Sequence, residues 1–160
     1  MSIPGGGTVT MGTWGNTQEH KGIWCNLEGF FPMATHVSVY NFINSSELGA
    51  MNNKVNSIDR WSVLVNCSSF ATDVWNSAGG IPVSAGLINT PSGLANSIKS
   101  TFNGYQTNAP IPQKTRNDFY YHTSNGVQKC PNPTEGGSSS SRSADNQYVN
   151  SFADFDFGRF

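Results

Sequence analysis

The apolar residues of this chain change their repeat near residue 44, and that change limits the folds open to it. Before it they alternate: Thr8-Val9-Thr10-Met11, Gly22-Ile23-Trp24-Cys25-Asn26-Leu27 and Thr35-His36-Val37-Ser38-Val39-Tyr40 each place every second residue on one face. Gly12, Gly15-Asn16, Gly29 and Pro32 punctuate these runs as turns. The pattern predicts an antiparallel meander over residues 5–43. From Asn44 the spacing becomes helical. Asn44 or Ser45 caps a helix to about Ile58, with Leu48, Met51 and Val55 on one side and Glu47 in the first turn. A second helix begins near Cys67, with Phe70, Ala71, Val74, Trp75 and Ala78 as its apolar stripe and Gly79-Gly80 as its stop. Thr90-Pro91, a capping residue followed by proline, opens a third helix that buries Leu94, Ala95 and Ile98. Strands followed by helices make an α+β domain, with the antiparallel sheet packed against the helix of Cys67.

Texture divides the chain once more. Residues 113–127 add a strand around Phe119-Tyr120-Tyr121-His122. After residue 130 the run Gly136-Gly137-Ser138-Ser139-Ser140-Ser141 reads as a flexible linker. Beyond it, Phe152, Phe155, Phe157 and Phe160 make the end aromatic but irregular, a segment that docks on the domain or stays untethered. The expected division is a folded domain over residues 1–130 and a tail over 131–160.

Composition narrows the function classes. Only 12% of the 160 residues are charged, against about 25% in ordinary domains. Polarity comes from 20 Ser, 18 Asn and 17 Gly instead. A net charge of −1 gives no electrostatic case for a nucleic-acid or acidic-membrane partner. No apolar run approaches the roughly 20 residues of a membrane span. Met1–Thr10 has neither the basic end nor the apolar stretch of a Sec-type signal peptide, although the composition suits an exported protein. Cys25, Cys67 and Cys130 lie 42 and 63 residues apart and are an odd number. No Cys/His grouping has metal-ligand spacing, so neither a metal nor a cofactor is expected.

Cys67 is the residue with the most chemical context. The run Trp61-Ser62-Val63-Leu64-Val65 leads through Asn66 to a cysteine at the mouth of an amphipathic helix. Free backbone N–H groups and the positive end of the helix dipole favour thiolate there, and the same groups can face an oxyanion. Against this stands the plainer reading of a buried structural cysteine.

Asn66-Cys67-Ser68-Ser69-Phe70-Ala71, followed by Val74-Trp75-Asn76 and Gly79, resembles the nucleophile helix of permuted NlpC-type papain-like cysteine hydrolases. Gly12-Thr13-Trp14-Gly15-Asn16 and Ile23-Trp24-Cys25-Asn26-Leu27-Glu28 are similar to the strand pair before that helix. Asn89-Thr90-Pro91-Ser92-Gly93-Leu94-Ala95 is similar to the helix after it. The likeness spans roughly residues 8–100. The branch it points to includes peptidoglycan-targeting and toxin-like effectors, some delivered by type VI secretion, and has lecithin retinol acyltransferase-like relatives. The resemblance implies a papain-like fold and a Cys67 thiolate that attacks an amide of peptidoglycan peptide through an acyl-enzyme. It also implies a site outside the cytoplasm, reached without a Sec signal, and a cognate inhibitor protein as partner. Acyl transfer to a lipid or amine would use the same groups.

In that family a histidine on an early strand, in a Gly-His context, is the general base. Met1–Thr10 contains no histidine. Either an N-terminal strand is missing, or another histidine serves, or the domain binds without turnover. His36, at the head of Val37-Ser38-Val39-Tyr40, is the first candidate. His122 has the chain order of an unpermuted papain-like enzyme, and His20, in Gln18-Glu19-His20-Lys21, reads as a solvated surface residue. Asp73 reads as a solvated helix position, Ser68 and Ser69 as partners of the helix start, and Trp75 as core.

Overall fold

The computed structural model describes residues 9–28, 35–111 and 113–130. The expectations for Thr8, Gly29, Pro32 and the 131–160 tail therefore concern residues outside those described. A four-stranded antiparallel sheet carries β1 (Met11–Trp14), β2 (Gly22–Cys25), β5 (Tyr120–Thr123) and β6 (Gly126–Lys129), in the order β1-β2-β5-β6. The two-stranded ladder β3 (Val37–Ser38) with β4 (Gln106–Thr107) lies apart from it. Between these strands come α1 (Ser45–Ser57), α2 (Cys67–Ser77) and α3 (Pro91–Thr101). The architecture is mixed α+β.

Each helix starts where its sequence allows. The Asn44 side chain accepts from the Ser46 and Glu47 amides while Glu47 reaches back to the Asn44 amide at 2.7 Å, a capping box. Asn66 and Thr90 cap α2 and α3 from extended backbone, and Pro91 sits in the first turn of α3. Gly79, at φ 77°, takes the left-handed conformation that ends α2.

Strand order departs from the expected meander. β1 and β2 do form a hairpin, Met11 opposite Cys25 and Trp14 opposite Gly22. The third alternating run does not join them, because the free edge of β2 is taken by β5 from the far end of the domain. Asn26 also turns to φ 67° just past β2, which ends the extended run. Gly12 is a strand residue and not a turn. It stands opposite Trp24, and a Cβ there would run into the Glu28 carboxylate.

Three clusters fill the interior. Ile23 packs with Met51 and Val55 of α1 and with Phe70 and Val74 of α2, joining sheet to helices. Trp14, Trp24, Leu27, Phe119 and Cys130 surround Cys67. Val37, Val39, Ala71, Val83, Ala85, Leu94 and Ile98 tie β3 to α2 and α3. Trp24 and its neighbour Cys25 are both fully buried, since both faces of β2 are covered. Trp75, expected in the core, is only partly buried: it packs edge-on against Phe102 at the margin of the third cluster.

Candidate functional site

Cys67 stands where the sequence places it, as the first residue of α2. The Asn66 side chain accepts from the Ser68 amide at 2.9 Å and the Ser69 amide at 3.3 Å. Its own amide group donates to the carbonyls of Val63 (3.1 Å) and Asn89 (2.8 Å). One side chain thus caps the helix and fastens two loops to it. Ser69 returns its hydroxyl to the Asn66 carbonyl at 2.9 Å, so it serves the helix start as expected. Asp73 forms a half-exposed pair with Lys54 at 3.1 Å.

The surroundings of the thiol oppose its ionisation. Cys67 is only 9% exposed, among two tryptophans, a leucine and a phenylalanine. Burial pushes its thiol up to about 12; bonds with Ser68 pull the other way, and the nearby Glu28 adds to the rise. Desolvation outweighs the helix terminus here. Cys25 is likewise pushed up to about 12, by burial first and Glu28 second.

Glu28 is the unexpected carboxyl of this region. It is 3% exposed and accepts from the Thr10 hydroxyl at 2.7 Å and the Trp14 indole N–H at 3.2 Å. Burial raises its pKa above the ordinary carboxylate range, with the Thr10 and Trp14 bonds opposing. Only a glycine at position 12 leaves room for it.

The histidines lie elsewhere. His36 precedes β3, where its ring Nε2 is 2.8 Å from the Ala109 carbonyl and its amide donates to Asn108 at 3.2 Å. That arrangement fastens β3 to the segment after β4. His20 and His122 converge on Asp59. Asp59 Oδ1 is 2.8 Å from His20 Nε2, and Oδ2 is 2.7 Å from His122 Nδ1. Oδ1 also accepts from the Ile23 amide at 2.9 Å. The β2–β5 ladder pairs Trp24 with Tyr121, so its next step would set Ile23 against His122. Asp59 enters at that step and bonds both sides of the opening. A Cβ at Gly22 would run into Asp59 and His20, and Tyr121 stacks on the His20 ring at 5.4 Å. The site accordingly needs glycine at 22. His20 is therefore 19% exposed and partnered, not a solvated turn residue.

No hydrogen bond joins Cys67 to His36, His20 or His122. What the fold brings together instead is His20, Asp59 and His122, with Ile23 as a fourth member. Sequence reasoning passed over Asp59 because nothing local marks it: its partners come from residues 20, 23 and 122, and only the β2–β5 register joins them. Among the described residues no group of three or more His, Cys, Asp or Glu side chains could hold a metal ion, and no helix is long and apolar enough to cross a membrane. Comparison with protein-family models, with curated proteins and with solved structures found no match.

Proposed function

We propose that this chain is a binding module built on the permuted NlpC-type papain-like plan, recognising a peptide, a glycan or a partner protein without turning it over. The antiparallel sheet with a cysteine-headed helix packed on it supports the plan. One observation carries the absence of turnover: the Cys67 thiol is buried, pushed up to about 12, and hydrogen-bonded to no histidine. A thiol pushed up so far by burial is protonated, not thiolate, near neutral pH. The ligand class follows from the resemblance, which points to peptidoglycan peptide and to a cognate inhibitor protein, met outside the cytoplasm after delivery without a Sec signal.

The alternative is a thiol hydrolase. In it the Cys67 thiolate attacks an amide carbonyl, a histidine takes the thiol proton and returns it to the leaving amine, and water releases the acyl-enzyme. That sequence requires Cys67 to reach solvent and a histidine to reach Cys67. Iodoacetamide labelling at pH 8, read residue by residue by mass spectrometry, separates the two readings. The binding module labels Cys67 no faster than Cys25 or Cys130. Soluble muropeptides titrated into the wild-type chain and into Cys67→Ala bind equally and are recovered intact. Preferential labelling of Cys67, or cleavage that Cys67→Ala abolishes, would establish the hydrolase instead.

A further inference from the structure

Two adjoining loops at the head of α2 carry aliphatic pairs at their tips. Ser62–Val65 is closed by the Ser62 amide on the Val65 carbonyl (2.8 Å) and the Val65 amide on the Ser62 hydroxyl (3.0 Å). Val63 and Leu64 stand at its apex, 72% and 63% exposed. Ala85–Thr90 is closed by the Thr90 amide on the Ala85 carbonyl (2.9 Å) and the Asn89 amide on the Gly86 carbonyl (3.3 Å). Its apex holds Leu87, as exposed as in an unfolded chain, and Ile88, 68% exposed. Gly86 at φ 82° and Asn89 at φ 49° make this turn possible. Such corners ordinarily hold polar residues, glycine or proline.

The two tips are fastened to one another. The Asn66 side chain donates to the Val63 and Asn89 carbonyls, and the Asn89 side chain donates to the Leu64 carbonyl at 2.8 Å. With the loop closures, the carbonyls of Val63, Leu64, Val65, Ala85, Gly86 and Asn89 are all engaged within the pair. The N–H groups of Val63 and Leu64, by contrast, make no hydrogen bond among the described residues. No charged residue lies within either loop. Four aliphatic side chains are thereby held outward on a stiff, uncharged double tip, and exposed apolar residues fixed in this way mark a contact surface.

Size and chemistry decide what this surface fits. Four aliphatic side chains supply roughly 300 Å² of apolar area, against about 800 Å² per partner in a stable protein complex. The tips are therefore too small to hold a second copy of the chain by themselves. They also protrude, so a rigid protein partner would need a matching socket. A lipid surface has neither requirement. Its acyl boundary admits a few apolar side chains, and binding scales with the area they bury. Backbone entering that boundary has to satisfy its own polar groups, as the carbonyls of these loops do. Phosphatidylcholine offers phosphate and ester oxygens as acceptors and no donor, which complements the open N–H groups of Val63 and Leu64. Without charge in the tips, anionic lipid has no special claim on them.

We propose that the paired tips Val63-Leu64 and Leu87-Ile88 dock this domain on a zwitterionic lipid surface. The four side chains enter the acyl boundary, and the head of α2 faces the bilayer. The contact is peripheral, with no helix crossing the membrane. It goes beyond the ligand reading above and is independent of whether Cys67 is catalytic. The cross-bonded loops are ordered before contact, so docking loses little conformational freedom.

Vesicle co-sedimentation of the full chain tests this, with phosphatidylcholine as the probe. Wild type sediments with the vesicles, and its partition is the same at low and high salt and with or without added phosphatidylserine. V63S/L64S and L87S/I88S, whose changes all lie on the surface, each lower that partition about tenfold. Phe42→Ser is the control. Phe42 is 86% exposed, but its neighbour Asn41 lies beside Gly80, past the opposite end of α2. That variant partitions within about twofold of wild type. Wild type absent from the vesicle pellet, or a tip variant that sediments as wild type does, overturns the proposal. So does a Phe42→Ser loss as large as that of the tip variants, which would mark general adhesion of apolar residues. Binding that requires phosphatidylserine, or that high salt abolishes, overturns it in favour of an electrostatic contact. A doubled mass without lipid that the tip variants return to monomer overturns it in favour of a second copy on the same surface.

Discussion

Glu28 shows how a single residue can set its surroundings. Its carboxyl is sealed beside β1, where the Thr10 hydroxyl and the Trp14 indole N–H donate to it, and among the described residues no cation hydrogen-bonds to it. Burial raises its pKa, and the sign of the consequence follows. Where the folded pKa lies above the unfolded one, the unfolded chain ionises first as pH rises, so stability falls until the folded pKa is passed. Glu28→Gln keeps the shape and removes that loss. Urea midpoints measured from pH 4 to pH 8 are expected to show the variant near wild type at the acid end and progressively more stable above it. The gain is about 1.4 kcal/mol for each unit by which burial displaces the carboxyl. A variant less stable than wild type at pH 8 would mean that Glu28 is held ionised, and that its bonds to Thr10 and Trp14 outweigh its desolvation.

Asn66 makes the same point one level up, for an element. Asn44 and Asn66 occupy the same capping position on α1 and α2, yet the two caps are not equivalent. The amides capped by Asn44 lie at an exposed helix start, where water can replace them. Ser68, whose amide Asn66 caps, is 3% exposed, and the Asn66 amide group also holds Val63 and Asn89. Asn44→Ala should cost about 1 kcal/mol. Asn66→Ala, which strands a buried amide as well, should cost about 2–3 kcal/mol. Equal losses in paired denaturation curves would show that the loop bonds add nothing.

The helices were legible in the sequence for the reason these two variants expose. Capping residues, apolar stripes and the Gly79 stop are local signals, so Asn44, Cys67 and Thr90–Pro91 mark their helices without knowledge of the fold. Strand pairing is not local. Alternation marked β2 and the region of β5, but nothing in either segment states that β5 takes the free edge of β2. Gly12 read as a turn because its true reason, clearance for Glu28, lies sixteen residues away. Cys67 was visible as a helix head. Its burial was not, since Trp14, Trp24, Leu27, Phe119 and Cys130 come together only in the folded chain.

At the scale of the whole molecule, Asp59 is the joint between layers. It sits on the link between α1 and α2, and it bonds the Ile23 amide of β2, His122 of β5 and His20 of the β1–β2 connection. Two distant stretches of chain, His20–Ile23 and β5, are therefore fastened to the α1–α2 link by one carboxylate. Burial alone would raise its pKa, but the Ile23 amide, His122 and His20 outweigh that and hold it below the ordinary value. A carboxyl with a depressed folded pKa contributes stability above its unfolded pKa, and that contribution is lost as pH falls through the folded one. Asp59→Asn keeps the shape, and its carbonyl can still accept from Ile23. It loses the charge that both imidazoles face. Because the group is only partly buried, the expected cost at pH 7 is about 1–2 kcal/mol, below the full range for charged hydrogen bonds. The gap between wild type and variant should close on acidification through the carboxylate range, while Asp73→Asn, on a half-exposed pair, changes little at any pH. Thermal unfolding of the three proteins between pH 2 and pH 7 reads this directly. A gap that stayed constant down to pH 2 would show that Asp59 acts through shape alone, leaving the sheet and the helices joined by the Ile23 cluster without help from its charge.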